Sequence, residues 1–281
     1  MRRKQTGNLD RSGALWAAIG ISATVATLVL LAGFGYAVYD VVNPPAPSTV
    51  QQAPPIAGKP PLSAADEVLI TAIGDSLTKG TGDRTGAGYV SLALAGLQQK
   101  LDKPVKLVNN LAVGGMRTDQ LAERLASDGG YQYAIKQANL LFLSIGGNDL
   151  FQFATKSLNE SGEEGISETA MQEMKAELEE GAERLERIFK LIHELNPQAR
   201  IVYIGLYNPF SDMEPFREGG MYVQQWNKKA YEISQAYNTI TIVPTYDLFD
   251  AALSTYLSSD HFHPNHEGYA EIAVRVVQGL E

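Results

Sequence analysis

The chain of 281 residues contains no cysteine. That excludes disulfides, thiolate nucleophiles, zinc–thiolate sites and lipid attachment through an N-terminal cysteine. Basic residues are also scarce, 23 Lys and Arg against 32 Asp and Glu, for a formal net charge of −9. The deficit is uneven. Residues 1–65 hold five basic side chains (Arg2, Arg3, Lys4, Arg11, Lys59) and two acidic ones (Asp10, Asp40), which leaves 18 basic and 30 acidic residues, or −12, in residues 66–281. A surface that acidic repels phosphate backbones, so nucleic acid is excluded as a partner. Histidine is limited to His193, His261, His263 and His266. No internal repeat and no second folded domain is visible.

What is present begins with an apolar run. From Ser12 to Tyr39 there is no charged residue, a stretch of 28 positions that as a helix spans roughly 42 Å at about 1.5 Å per residue. That exceeds the hydrocarbon core of a bilayer, ~30 Å, and Trp16, Tyr36 and Tyr39 stand where interfacial aromatics belong. The expectation is one transmembrane helix over residues 13–40 behind a short cytoplasmic N-terminus, residues 1–12. Arg2, Arg3, Lys4 and Arg11 precede it and Asp40 follows, so the positive-inside rule places the remainder outside the cytoplasm. A cleaved signal peptide is the alternative, but its apolar core is usually about 7–15 residues. Residues 41–65 carry Pro44, Pro45, Pro47, Pro54, Pro55, Pro60 and Pro61, and such composition reads as an extended stalk.

From residue 66 onward, short apolar runs alternate with amphipathic stretches. The runs Val68–Ile73, Val105–Leu111, Leu140–Ile145, Ile201–Leu206 and Thr239–Val243 are nearly continuous in apolar residues, as expected of strands covered on both faces. Tyr89–Leu101, Thr118–Leu125, Ser167–Leu195, Met221–Tyr237 and Asn265–Leu280 read as helices. In the third, Met171, Met174, Leu178, Leu185, Ile188, Ile192 and Leu195 share a face. Alternation of this kind predicts a three-layer α/β domain over residues 66–281 with a parallel five-stranded sheet.

In such sheets ligands gather beyond the C-terminal strand ends. Strand one ends in Gly74-Asp75-Ser76-Leu77, strand two runs to Gly114-Gly115, strand three ends in Gly146-Gly147-Asn148-Asp149, and Asp260-His261-Phe262-His263 precedes the last helix. These loops supply a hydroxyl, backbone amides beside glycine, a side-chain amide and a carboxylate–imidazole pair. Acyl transfer needs that set. A serine hydroxyl becomes a nucleophile when an imidazole takes its proton, and the imidazole needs a carboxylate to fix its tautomer. Donors then hold the tetrahedral oxyanion.

In order and relative placement these four segments resemble the blocks of the SGNH (GDSL-type) hydrolases, most closely bacterial lysophospholipase-like esterases. The resemblance spans residues 68–281. It implies a flavodoxin-like, doubly wound fold and an acyl-enzyme mechanism without a cofactor or metal. It further implies Ser76 as nucleophile, His263 as base, Asp260 as its partner, and Ser76, Gly115 and Asn148 as the oxyanion hole. Gly114 and Gly115 are adjacent, and either could supply the amide.

Other readings compete. Asp260, His261, His263 and His266 suit a metal ion chemically, but two of them would ligate at i and i+2 in a loop, and the serine and asparagine blocks would be unexplained. Gly80, Gly82, Gly86 and Gly88 match neither phosphate-loop pattern, and instead shape the entrance beside Ser76. Thr78 stands where the nucleophile elbow of an ordinary α/β-hydrolase needs glycine. The loop Tyr207-Asn208-Pro209-Phe210, continuing through Met213, Pro215 and Phe216 to Met221, is apolar enough to line an acyl pocket, with Tyr207, Pro209 and Phe210 as substrate contacts. The expected activity is hydrolysis of lipid or lysophospholipid-like esters at the cell surface. Deacetylation of cell-wall glycans is the alternative, and an inactive tethered module that binds glycan or lipid is the alternative of a different class.

Overall fold

The computed structural model describes residues 11–42, 62, 65–152, 168–212 and 219–280, and of residues 11–15, 37, 40–42 and 168–171 the backbone only. The chain divides into two units, Met1–Ile56 and Ala57–Glu281. In the first, α1 runs unbroken over Arg11–Val42. Its segment Trp16–Tyr36 has 21 residues and mean hydropathy 2.1, about 32 Å of helix and thus enough to cross the hydrocarbon core. Thr24 and Thr27 return their hydroxyls to the carbonyls of Gly20 and Ala23 at 2.8 Å, which satisfies both inside the helix, as an apolar solvent demands. All but Leu62 and Ala65 of the proline-rich segment expected beyond residue 42 lies outside the described residues. Leu62, assigned from sequence to the stalk, is buried in the core of the second unit.

The second unit is built on five parallel strands, β1 (Val68–Gly74), β2 (Val105–Asn110), β3 (Leu140–Ser144), β4 (Arg200–Ile204) and β5 (Ile240–Val243), in spatial order β2-β1-β3-β4-β5. The helices between them are α2 (Ser76–Lys79), α3 (Gly88–Lys100), α4 (Thr118–Ser127), α5 (Gly129–Gln137), α6 (147–152), α7 (Glu168–Leu195), α8 (Gly220–Ser234), α9 (Tyr246–Tyr256) and α10 (His266–Gln278). Because successive strand residues face opposite sides, the sheet feeds two cores. Ile73, Leu141, Leu143, Ile201 and Tyr203 pack with α4, α5, α7 and α8, while Ile70, Ala72, Phe142, Val202 and Ile204 pack with α3, α9 and α10. The three-layer, flavodoxin-like architecture follows. On α7, Met174, Leu178, Leu185, Ile188 and Ile192 form the buried stripe; the side chain of Met171 lies outside the described residues.

Two features differ from expectation. β2 is not covered on both faces, since Lys106, Leu107 and Val108 are exposed and its pairing with β1 shifts register between Ile70 and Thr71. Among the described residues it is an edge strand, paired with β1 alone. Four helices, α2, α5, α6 and α9, arise where no amphipathic run announced them. They are short or, like α9, kinked, at Ala252, so their apolar residues never complete a helical stripe. The strand order reverses at β1, and the crevice this opens between β1 and β3 is where a ligand site belongs in this architecture.

Candidate active site

β1 ends at Gly74 in a conformation that only glycine adopts freely, φ +126°, and a Cβ there would overlap the carbonyl oxygen of Ser144. That close approach lets Asp75 N donate to Ser144 O at 3.0 Å and turns the chain abruptly into α2. Asp75 caps this helix, its Oδ1 accepting Leu77 N at 3.1 Å. Ser76 is the first residue of α2, and its N–H has no acceptor among the described residues. Behind it runs a buried chain of hydroxyls: Tyr89 Oη lies 2.7 Å from Thr78 Oγ1, which lies 2.7 Å from Ser144 Oγ, which donates to Asp75 Oδ1 at 2.5 Å. Burial raises the pKa of Asp75, a rise that the Ser144 and Leu77 donors partly counter.

Across the crevice, the segment 257–264 folds back on itself through the Leu257–Pro264 bridge and the bond from Ser258 N to His263 O at 2.8 Å. His261 makes the turn possible by adopting a left-handed φ of 53°. Asp260 Oδ1 accepts from Ser258 Oγ at 2.7 Å, His263 N at 2.9 Å and Phe262 N at 3.0 Å, while Oδ2 lies 2.8 Å from His263 Nδ1. Burial alone would raise the Asp260 pKa, but the donors from His263, Ser258 and Phe262 outweigh it and hold the carboxylate well below its ordinary range. The other imidazole nitrogen, Nε2, is 2.8 Å from Ser76 Oγ. With Oδ2 of an ionised Asp260 facing Nδ1, that nitrogen carries the proton and Nε2 is left as the acceptor. Residues 187 positions apart thus form one continuous relay. Ser258 and Tyr207, whose hydroxyl donates to Phe262 O at 2.7 Å, hold this loop in place. The sequence offered no sign of Ser258 beyond its being a serine in a turn.

Asn148 lies at the start of α6 and lines the cleft at Ser76 together with Gly147, Phe151, Leu206, Phe262 and His263. One hydrogen of its amide goes to Met116 O at 2.9 Å, and the second meets no acceptor among the described residues. Gly115 has φ +78°, and neither its N–H nor that of Gly114 meets an acceptor among the described residues. Both glycines line a separate polar depression of about 470 Å³, to which Met116, the acceptor of the Asn148 amide, also contributes. The structure therefore brings Ser76, His263, Asp260 and Asn148 together and leaves Gly115 on the adjoining loop. Asp149, the next residue, caps α4: its carboxylate accepts Thr118 Oγ1 at 2.6 Å and Thr118 N at 3.1 Å. Arg184, Arg117 and Glu177 complete that ionic cluster.

Of the three expected substrate contacts, Tyr207 and Pro209 line the cleft. Phe210 does not. It stands behind the wall, edge-on to Phe151 at 5.7 Å and tilted against Phe262 at 5.9 Å, and its place in the lining is taken by Phe151, Leu206 and Phe262. Met213, Pro215 and Phe216 lie outside the described residues, and Met221 is exposed. Among the described residues no three His, Asp or Glu side chains converge as metal ligands.

A family model described as the GDSL-like lipase/acylhydrolase family matches residues 72–271. The chain is 36% identical over 221 residues to the uncharacterized protein YpmR of Bacillus subtilis (strain 168), covering 77% of this chain and 82% of that one. The lipase Lip_vut3 from a goat rumen metagenome superimposes with TM-score 0.65 at 23% identity, over 76% of this chain and all (100%) of that one. Axe2, an acetylxylan esterase from Geobacillus stearothermophilus, does so with TM-score 0.53 at 20% identity, over 76% and 94%. These two structural likenesses bear on the fold.

Proposed function

The chain belongs to the GDSL-like lipase/acylhydrolase family and is a carboxylic ester hydrolase, and from that premise we propose that Ser76, His263 and Asp260 carry the hydrolysis. Ser76 Oγ attacks the ester carbonyl carbon as His263 Nε2 takes its proton, and Asp260 stabilises the imidazolium through Nδ1. The developing oxyanion is held by the N–H of Ser76 and an amide hydrogen of Asn148, while Gly115, which the resemblance implies as a third donor, stands on the adjoining loop. Collapse expels the alcohol, protonated by His263, and leaves an acyl ester on Ser76. Water, deprotonated by the same imidazole, then releases the acid. The observation that carries this reading is one imidazole with both nitrogens at 2.8 Å, one to Asp260 and one to Ser76.

The acyl group enters the apolar cleft walled by Phe151, Leu206, Pro209 and Phe262. Its space is narrow, about 30 Å³, far below the ~300 Å³ or more of a typical ligand pocket. So narrow a cleft favours short acyl groups such as acetyl. A second reading, lysophospholipid-like esters, is favoured by the apolar walls and by α1, which would hold the enzyme at a bilayer. Fold decides nothing between them, and Lip_vut3 and Axe2, a lipase and an acetylxylan esterase, sit on either side. We further place α1 as an uncleaved membrane anchor, with Arg2, Arg3, Lys4 and Arg11 keeping the N-terminus in the cytoplasm and the hydrolase domain outside.

The test is a panel of p-nitrophenyl esters of graded acyl length. Ser76→Ala is expected to abolish turnover and labelling by a fluorophosphonate probe while leaving the melting temperature nearly unchanged; retained turnover refutes the assignment. Rates that fall steeply beyond about four acyl carbons support the short-chain reading, and rates that rise toward long chains replace it with the lipid one.

A further inference from the structure

Apart from the relay, the chain holds a second imidazole–carboxylate pair. His266 opens α10 three residues after His263, and its Nδ1 lies 3.2 Å from Asp83 Oδ2 and 3.2 Å from Thr85 Oγ1. Asp83 is an unusual acid for a surface loop: its side chain is 0% exposed, against 42% for the imidazole. Its Oδ1 accepts Thr85 N and Thr85 Oγ1 at 2.8 Å, and its Oδ2 accepts Gly88 N at 2.9 Å. Burial pushes its pKa up, but the donors from Gly88, Thr85 and His266 outweigh this and bring it to about 2. It is therefore an anion at neutral pH, and the hydrolytic steps make no use of it, because Asp260 already serves His263.

What this anion holds is the loop that carries the base. Residues 81–88 and 258–269 meet at two further points. Tyr269 Oη donates to Thr81 O at 2.7 Å. Gly82, with φ +95°, lies so close that a Cβ on it would come 2.5 Å from Pro264 O, 2.9 Å from His263 Cβ and 3.1 Å from Ser258 Oγ. The Pro264 carbonyl and the Cβ of His263 thus rest directly on Gly82, one residue from Asp83. Any shift of this shelf moves the imidazole relative to Ser76 Oγ, whose bond to Nε2 is 2.8 Å, and displacements of about 1 Å cost on the order of a hundredfold in rate.

We propose that Asp83 and His266 form a positioning pair for ester hydrolysis, in which the buried carboxylate pins the first residue of α10 to the loop after Ser76 and so fixes where the His263 imidazole stands over the nucleophile. This rests on the reading that Ser76, His263 and Asp260 perform the chemistry. A pair that merely stabilises the fold would lower the melting temperature and leave the folded enzyme's kcat intact; a positioning pair acts on kcat.

The full-length protein in detergent is assayed with p-nitrophenyl acetate as wild type, His266→Ala, His266→Asn and Ser76→Ala, each followed through thermal unfolding by circular dichroism. His266→Ala is expected to lower kcat about tenfold with KM held within about twofold. His266→Asn, whose amide nitrogen occupies the place of Nδ1, is expected to restore most of that loss. An unchanged kcat in His266→Ala, a failure of the asparagine to restore it, or a loss explained entirely by unfolding overturns the proposal. Turnover surviving in Ser76→Ala instead overturns the hydrolytic reading beneath it, so the two failures are distinguishable.

Discussion

At the scale of single residues, the ionisable groups of the site divide by environment. Asp260 and Asp83 are surrounded by donors that favour the charged form, which lowers their pKa, whereas burial dominates at Asp75 and Asp149 and raises theirs. For Asp83 the sign is definite. Its folded pKa of about 2 lies below the ordinary 3.8, so it contributes stability that is complete above about pH 4 and is lost as pH falls from there toward 2. Asp83→Asn is therefore expected to flatten the fall of melting temperature between pH 4 and pH 2, while lowering the melting temperature at neutral pH. An unaltered slope in a pH series of melts would mean that the Thr85 and Gly88 donors do not hold the anion. Much of the chemistry at this scale was readable in advance. Ser76, Asn148, Asp260 and His263 are residue types with few other reasons to stand at strand ends. Ser258 and His266 were not readable as partners, because a serine in a turn and a histidine at a helix start are common, and only the folded loops give them Asp260 and Asp83.

At the scale of elements, the oxyanion side of the site depends on how α6 is tied to α4. Asn148 and Asp149 are neighbours on one short helix, and Asp149 reaches across to the first residue of α4 through Thr118. Arg184 Nε donates to the same Thr118 hydroxyl at 2.9 Å. Thr118→Val keeps the shape and deletes the hydroxyl, leaving a buried carboxylate short of its best donor. The expected cost is about 1–3 kcal/mol, seen as a melting temperature lower by several degrees, with Trp226 fluorescence as the probe. A variant that melts with the wild type would show that the backbone N–H at position 118, Arg184 and Arg117 satisfy Asp149 without the hydroxyl. The strands and the long helices α3, α7, α8 and α10 fall within a few residues of where periodicity places them, since each carries a full apolar stripe or run. The short α2, α5 and α6 escape that logic. They are set by caps such as Asp75 and Asp128, whose acceptors act only once the chain has turned.

At the scale of the whole molecule, α1 and the hydrolase domain pose separate questions. Trp16–Tyr36 is long and apolar enough to cross a bilayer, and the domain carries its own two-sided core from Leu62 to Leu280. Cells expressing the full chain are expected to keep esterase activity in the membrane pellet after alkaline carbonate extraction. The portion beginning at Ala57 is expected to be soluble and fully active. Full-length activity released by carbonate, or a mature N-terminus beyond Tyr36, would replace the anchor with a signal sequence.

Hydrophobic period and strand-end composition are local properties of the chain, so the class of the sheet, the apolar segment and the residue types available for acyl transfer were legible without coordinates. Which of these groups meet depends on long-range packing. The placement of His263 Nε2 on Ser76, the displacement of Phe210 behind Phe151 and Phe262, the size of the acyl cleft and the Asp83–His266 contact all join segments far apart in the chain. No local pattern records them, since each distance is set by the packing of two cores against one twisted sheet.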